Sequence, residues 1–147
     1  MNAKTPDHLL ESTTSKTKWK DPKRYLWMLS PALPAIGIVA LSAYAIAPKK
    51  LRALAWVGPI LVHGVIPALD RLIGEDPSNP PEEAVRDLEK DKYYDRVVKT
   101  FVPLQYGVTL LGAYLASRKS TPTSDYIGLT LSVGALNGIG INTAHEL

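Results

Sequence analysis

A chain of 147 residues with a net charge of +3, no cysteine and a mean hydropathy of −0.02 has, on average, the make-up of one soluble domain. The lack of cysteine excludes a disulfide framework and a thiolate metal site, so any metal must be held by His, Asp or Glu. The basic excess lies beside apolar segments instead of forming an aromatic-laced patch, which argues for charges that set membrane topology and against a nucleic-acid partner.

The average conceals a segregation. Charge is confined to a few short stretches, and long apolar runs separate them, a pattern that predicts an all-α, polytopic membrane bundle. Four transmembrane helices are predicted at about residues 25–47, 51–69, 97–116 and 126–145. They follow a flexible tail over residues 1–24 and leave a polar connector at 70–96.

The opening stretch is rich in Ser, Thr, Lys and Asp without apolar periodicity, and it cannot bury enough surface to offset the entropy of ordering. His8, within it, reads as a solvated side chain. No short apolar core with a small-residue cleavage pattern follows, so the first apolar run is expected to stay as a permanent helix. That run, Tyr25 to Ala47, would extend about 34 Å as a helix and cross a hydrocarbon layer of about 30 Å. Lys23, Arg24, Tyr25 and Trp27 form an interfacial anchor at its start, and Pro31 and Pro34 are expected to bend it.

Pro48-Lys49-Lys50 makes a tight turn into the second run, Leu51 to Leu69. Within it His63 has no histidine three or four residues away, so it reads as a polar packing group or cavity lining and not as a ligand. Gly58, Val62 and Val65 are candidates to line a hydrophobic tunnel, although contact with lipid or core explains the same residues. In the acidic connector, Asn79 before Pro80-Pro81-Glu82-Glu83 predicts a helix start with cap, proline and first-turn acids. That helix is expected to carry Val85, Leu88 and the Tyr93-Tyr94 pair on an amphipathic face. The third run has Lys99 near its entrance and Gln105 deeper, where an amide wants a protein partner. The fourth follows a short turn from Ser117 to Asp125.

Basic residues at alternate ends orient the bundle. The tail, the connector and Lys99 supply more of them than Lys49, Lys50, Arg52, Arg118 and Lys119 on the other side. This favours a cytoplasmic amino terminus and brings the end of the fourth helix, with His145, back to the cytoplasm. At about 100° per residue, Gly134, Gly138, Asn142 and His145 share one narrow stripe. Glycines four apart admit a neighbouring helix, so His145 is expected to face the bundle interior. An imidazole there is either a metal ligand or a capped helix end.

Several segments, in this order, carry a resemblance: Lys23-Arg24-Tyr25-Leu26-Trp27, Leu69-Asp70 with Gly74-Glu75-Asp76, Asn79-Pro80-Pro81-Glu82-Glu83, Leu88-Glu89-Lys90 with Tyr93-Tyr94, and Asn137-Gly138 through Asn142 to His145-Glu146-Leu147. From about Lys20 onward the chain resembles the integral-membrane, non-haem di-iron alkane 1-monooxygenases. The resemblance implies O2-dependent hydroxylation of the terminal methyl of medium- or long-chain n-alkanes at two histidine-ligated iron ions. It implies electrons from rubredoxin and rubredoxin reductase, and a bacterial inner-membrane location.

It further implies that His145 is the first histidine of a box, that the remaining ligands and two more helices lie beyond Leu147, and that these residues alone are inactive. Glu146 would then orient a liganding histidine or be a solvated acid. Asn142 is a further orienting candidate, and with Gln105 a source of interhelical hydrogen bonds. Two other readings stay open. His145-Glu146 would also begin the His-Glu-x-x-His pattern of a membrane zinc metalloprotease, and a noncatalytic membrane scaffold would use the glycine faces without any metal.

Overall fold

The computed structural model describes residues 19–74 and 80–144, with side chains as far as residue 141; those residues are all-helical with no strand. A 3-10 turn, Arg24–Met28, leads into α1, Leu29–Ile46. Pro31 falls in the first turn of α1, where no intrahelical N–H is required, and Pro34 lies inside the helix. The second helical run, α2, is Arg52–Ile73, and it is irregular: a 3-10 opening, a π stretch over Ile60–Val65 and an α-helical end over Ile66–Ile73. Pro59 and Pro67 flank the π stretch and each removes an N–H from the ladder, so no single helical pattern holds through the run. Gly74, at φ 75°, closes α2 in a conformation that a side chain would strain.

The connector is shorter than the charge pattern predicts. α3 spans Glu82–Glu89, with Pro81 extended at its cap position, so the two prolines precede the helix instead of filling its first turn; Asn79 lies outside the described residues. Glu82 and Glu83 occupy the first turn, where the positive end of the helix favours them. The chain breaks at Asp91, whose carboxylate accepts the Tyr93 N–H at 2.9 Å. This cap starts α4, Lys92–Ser117, five residues before the apolar run, so Tyr93 and Tyr94 belong to α4 and not to the preceding helix. The last helix, α5, is Thr123–Ala144.

α1 packs on α4, α4 on α5, and the first half of α2 on α5. Leu41, Tyr44, Ala55, Val108, Leu115, Leu129 and Leu136 form the shared core. The contact of α2 with α5 has a specific cause. Pro59 cannot donate to the Ala55 carbonyl, and the Ser132 hydroxyl of α5 donates to it instead at 2.7 Å. The same hydroxyl oxygen accepts the Gly58 N–H at 3.0 Å. A Cβ at Gly58 would collide with the Ser132 backbone, so glycine is what lets the two helices come this close. Two such buried bonds contribute about 1–3 kcal/mol.

Arg24–Ile46 and Arg52–Ile73 are each long and apolar enough to cross a membrane. Much of their apolar surface is exposed: Val39 is 70 % and Leu72 82 % accessible. A water-soluble fold seldom leaves that much, whereas a lipid phase would cover it.

Candidate functional site

The polar side chains that join helices lie at the two ends of the bundle and, between them, at Ser132 and around Gln105. At the hairpin end, where α1 turns into α2 and α4 into α5, Asp125 is buried at 2 % exposure. Its Oδ1 accepts from Arg52 Nε at 3.0 Å and Nη2 at 2.8 Å, and its Oδ2 accepts from the Tyr44 hydroxyl at 3.0 Å. Ser124 accepts from Arg52 at 2.7 Å and donates to Asp125. Residues from three helices are thus held by one carboxylate.

At the connector end, where α1 and α4 begin, Arg24 pairs with Asp91 at 2.6 Å and lies 4.1 Å above the Tyr93 ring. The Tyr93 hydroxyl donates to the Arg24 carbonyl at 2.9 Å, and that of Tyr94 donates to Asp21 at 2.6 Å. Trp27 meets the edge of Tyr94. Burial, reinforced by the Asp21 carboxylate, pushes the Tyr94 phenol up to about 12.

Between the ends, Gln105 of α4 donates to the Asn137 carbonyl of α5 at 3.3 Å, the interhelical bond expected of it. The Thr109 hydroxyl lies 2.7 Å from the Gln105 carbonyl and 2.9 Å from Asn137 Oδ1, sharing its proton between them. Gly140 admits the Gln105 amide, since a Cβ there would strike it. This knot ties α5 to α4 near its last turns.

His145 and Glu146 lie outside the described residues, as does the side chain of Asn142. The glycines grouped with His145 by helical spacing are described, and they do not admit a neighbouring helix among the described residues. Nothing approaches within 4 Å of a Cβ built on Gly134 or Gly138, and with Ile127, Leu131 and Ile141 they form an open face of α5. The glycines that do accept neighbours are Gly37, Gly58, Gly107, Gly112, Gly128 and Gly140, and α5 turns its Ser132, Leu136 and Asn137 sides to the other helices.

The tunnel candidates separate as well. Gly58 is buried against Ser132, Val62 is half-buried and Val65 is 40 % exposed. An open apolar groove runs instead along α1, lined by Ala32, Ile36, Val39, Ala43 and Leu54 of the neighbouring run. His63 is exposed on the π stretch. Among the described residues no group of three or more His, Cys, Asp or Glu converges as a metal would require, so those residues alone do not fit an iron centre. Sequence reasoning missed the Arg52–Asp125–Tyr44 cluster. The signal was an arginine at the mouth of one apolar run and an aspartate at the mouth of another.

An all-helical bundle with two membrane-length helices, polar clusters at both ends and an open glycine face defines the class of protein. No protein-family model matches the chain. Among curated proteins it is 52 % identical over 128 residues to an alkane 1-monooxygenase of Acinetobacter baylyi, a match that takes in 86 % of this chain and 31 % of the relative. It is 37 % identical over 132 residues to alkane 1-monooxygenase 1 of Alcanivorax borkumensis, with 86 % and 31 % covered. A third relative, the alkane 1-monooxygenase of Pseudomonas putida, is 37 % identical over 138 residues, with 90 % and 33 % covered. The chain is a homologue of alkane 1-monooxygenases, and it spans about a third of the length of these relatives.

Proposed function

We propose that this chain is the amino-terminal part of an alkane 1-monooxygenase that hydroxylates the terminal methyl of medium- or long-chain n-alkanes with O2. The observation that carries the reading is the 52 % identity to such an enzyme over 86 % of the chain. α1, α2, α4 and α5 cross a bacterial inner membrane, with the amino terminus and His145 at its cytoplasmic side. The excess of basic residues at the connector end supports that orientation.

In this reading His145 supplies one histidine to a di-iron centre, and residues from the region that the relatives carry beyond the matched segment complete it. The iron, when bound, supplies the activation of dioxygen that an unactivated methyl group requires. Rubredoxin and rubredoxin reductase deliver the electrons. These residues by themselves neither hold two irons nor turn over. The chain's own contribution is positional. The Gln105–Asn137–Thr109 knot holds the end of α5 against α4, and the open Gly134–Gly138 face leaves room for the helices that bring further ligands. Val62 and Val65 line the alkyl path, and the Gly58–Ser132 contact closes it toward the hairpin end. Glu146 and Asn142 orient the liganding imidazole.

A chimera tests this directly. The matched segment of the Acinetobacter baylyi relative is replaced by the present chain, and 1-alkanol formation and iron content are measured in membranes. The reading expects an active, iron-loaded chimera and a loss of both with His145→Ala. An inactive chimera that is inserted and stable, or a His145→Ala variant that keeps its iron and its activity, would count against it. Retention of zinc and peptide hydrolysis in place of hydroxylation would point to the metalloprotease.

A further inference from the structure

The buried face of α4 presents Val97, Val98, Phe101, Val108 and Leu115 to the bundle. Its opposite face is a continuous outward stripe. At about 100° per residue, Lys92, Arg96, Lys99, Tyr106, Leu110 and Tyr114 all fall within about 80° of arc, and all six are exposed. The cations occupy the connector end of the stripe. Below them the surface is apolar and aromatic, with Tyr106 67 %, Leu110 68 % and Tyr114 59 % accessible.

Lys99 is engaged by Asp95 at 2.6 Å. Among the described residues, the side chains of Lys92 and Arg96 make no ion pair, although they stand one turn apart on the same face. Two uncompensated cations at the head of an uncovered apolar track match one ligand shape: an anionic head joined to a long hydrocarbon chain. We propose that this stripe is a binding site for an anionic phospholipid, with the phosphate between Lys92 and Arg96 and an acyl chain running past Tyr106 toward Leu110. The site rests on the four-span reading above, which puts the Lys92 end of α4 at the membrane surface and Leu110 in the hydrocarbon. Arginine offers a bidentate fork to phosphate oxygens and lysine a point charge, so the pair both orients and neutralises the head group. The Tyr93 and Tyr94 rings beside Lys92 belong at the depth where an acyl chain meets the interface.

The test is native mass spectrometry of the full chain in detergent micelles, titrated with phosphatidylglycerol and, separately, with phosphatidylcholine of the same acyl chains. Phosphatidylglycerol should be retained at a concentration at least about ten-fold lower. Each neutralised cation should weaken that retention about five-fold, so Lys92→Gln combined with Arg96→Gln should weaken it about twenty-five-fold and leave phosphatidylcholine unchanged. Lys119→Gln, at the hairpin end, should have no effect. Equal affinity for the two lipids, or no response to the double substitution, would overturn the site. Displacement of the lipid by equimolar inorganic phosphate would overturn the role of the acyl track. Leu110→Cys in vesicles separates the two layers of the argument. Labelling of the new thiol by a water-soluble maleimide would defeat the four-span reading along with the lipid site, whereas a shielded thiol without lipid preference would defeat the lipid site alone.

Discussion

The two ends of the bundle use the same three residue types, arginine, aspartate and tyrosine, under different solvent exposure. At the hairpin end the carboxylate of Asp125 is buried and accepts from Arg52, Tyr44 and Ser124 together. At the connector end Asp91 is about a quarter exposed, pairs with Arg24 and caps α4. The comparison teaches that an ion pair's worth is set by what is left behind when one member goes. Without Asp125, the buried Tyr44 hydroxyl would lose its acceptor away from water. Without Asp91, Arg24 is already within reach of solvent.

The largest effect should come from Asp125→Ala, which is expected to destabilise the bundle by about 3 kcal/mol. That is the low end for a broken buried pair, because the Arg52 side chain is itself 52 % exposed. Thermal or denaturant unfolding of the detergent-solubilised chain measures it. Asp125→Asn, which keeps an acceptor oxygen, should recover part of the loss. A cost below about 1 kcal/mol for the alanine variant would erase the distinction between the ends.

A second, smaller effect sharpens the contrast. Arg24→Ala should destabilise the bundle less than Asp125→Ala, and the coupling energy of Arg24 with Asp91 from a double-mutant cycle should fall below that of Arg52 with Asp125. Raising the salt concentration should weaken the connector-end coupling more than the hairpin-end coupling. Equal couplings would show that exposure does not decide.

The smallest effect is a pH dependence confined to the connector end. Tyr94 has its phenol raised to about 12 by burial and by the Asp21 carboxylate. A group whose folded pKa exceeds its unfolded value of about 10 stabilises the fold fully below about pH 10 and loses that contribution as pH rises through about 12. The difference in stability between wild type and Tyr94→Phe should therefore be constant below about pH 10 and shrink above it. A difference that grows with rising pH would contradict the assigned hydrogen bond to Asp21.

Much of this arrangement was legible in the residues. Long uncharged runs identified the helical cores, and the resemblance led to the same family of relatives that direct comparison finds. Gln105 advertised a partner by its depth in an apolar run and has one in Asn137. Other features were not legible, for physical reasons. The start of α4 at Lys92 depends on Asp91 acting as a cap, and charge composition alone could not separate a capped helix start from a connector. The glycine stripe of α5 pointed to helix packing, yet periodicity reports only which residues share a face. It does not report which face meets a neighbour, and Gly134 and Gly138 meet none among the described residues.

The sequence by itself determined which segments become helices, because apolar run length and the placement of proline, glycine and cap residues act locally along the chain. Only the tertiary structure decided that Ser132 fills the gap Pro59 leaves at Ala55, that Asp125 gathers Arg52 and Tyr44, and that α5 turns its glycine stripe outward. Those outcomes join residues far apart in the chain or select among helix faces. They follow from close packing and from the need to satisfy every buried polar group, conditions that exist only once the helices have met.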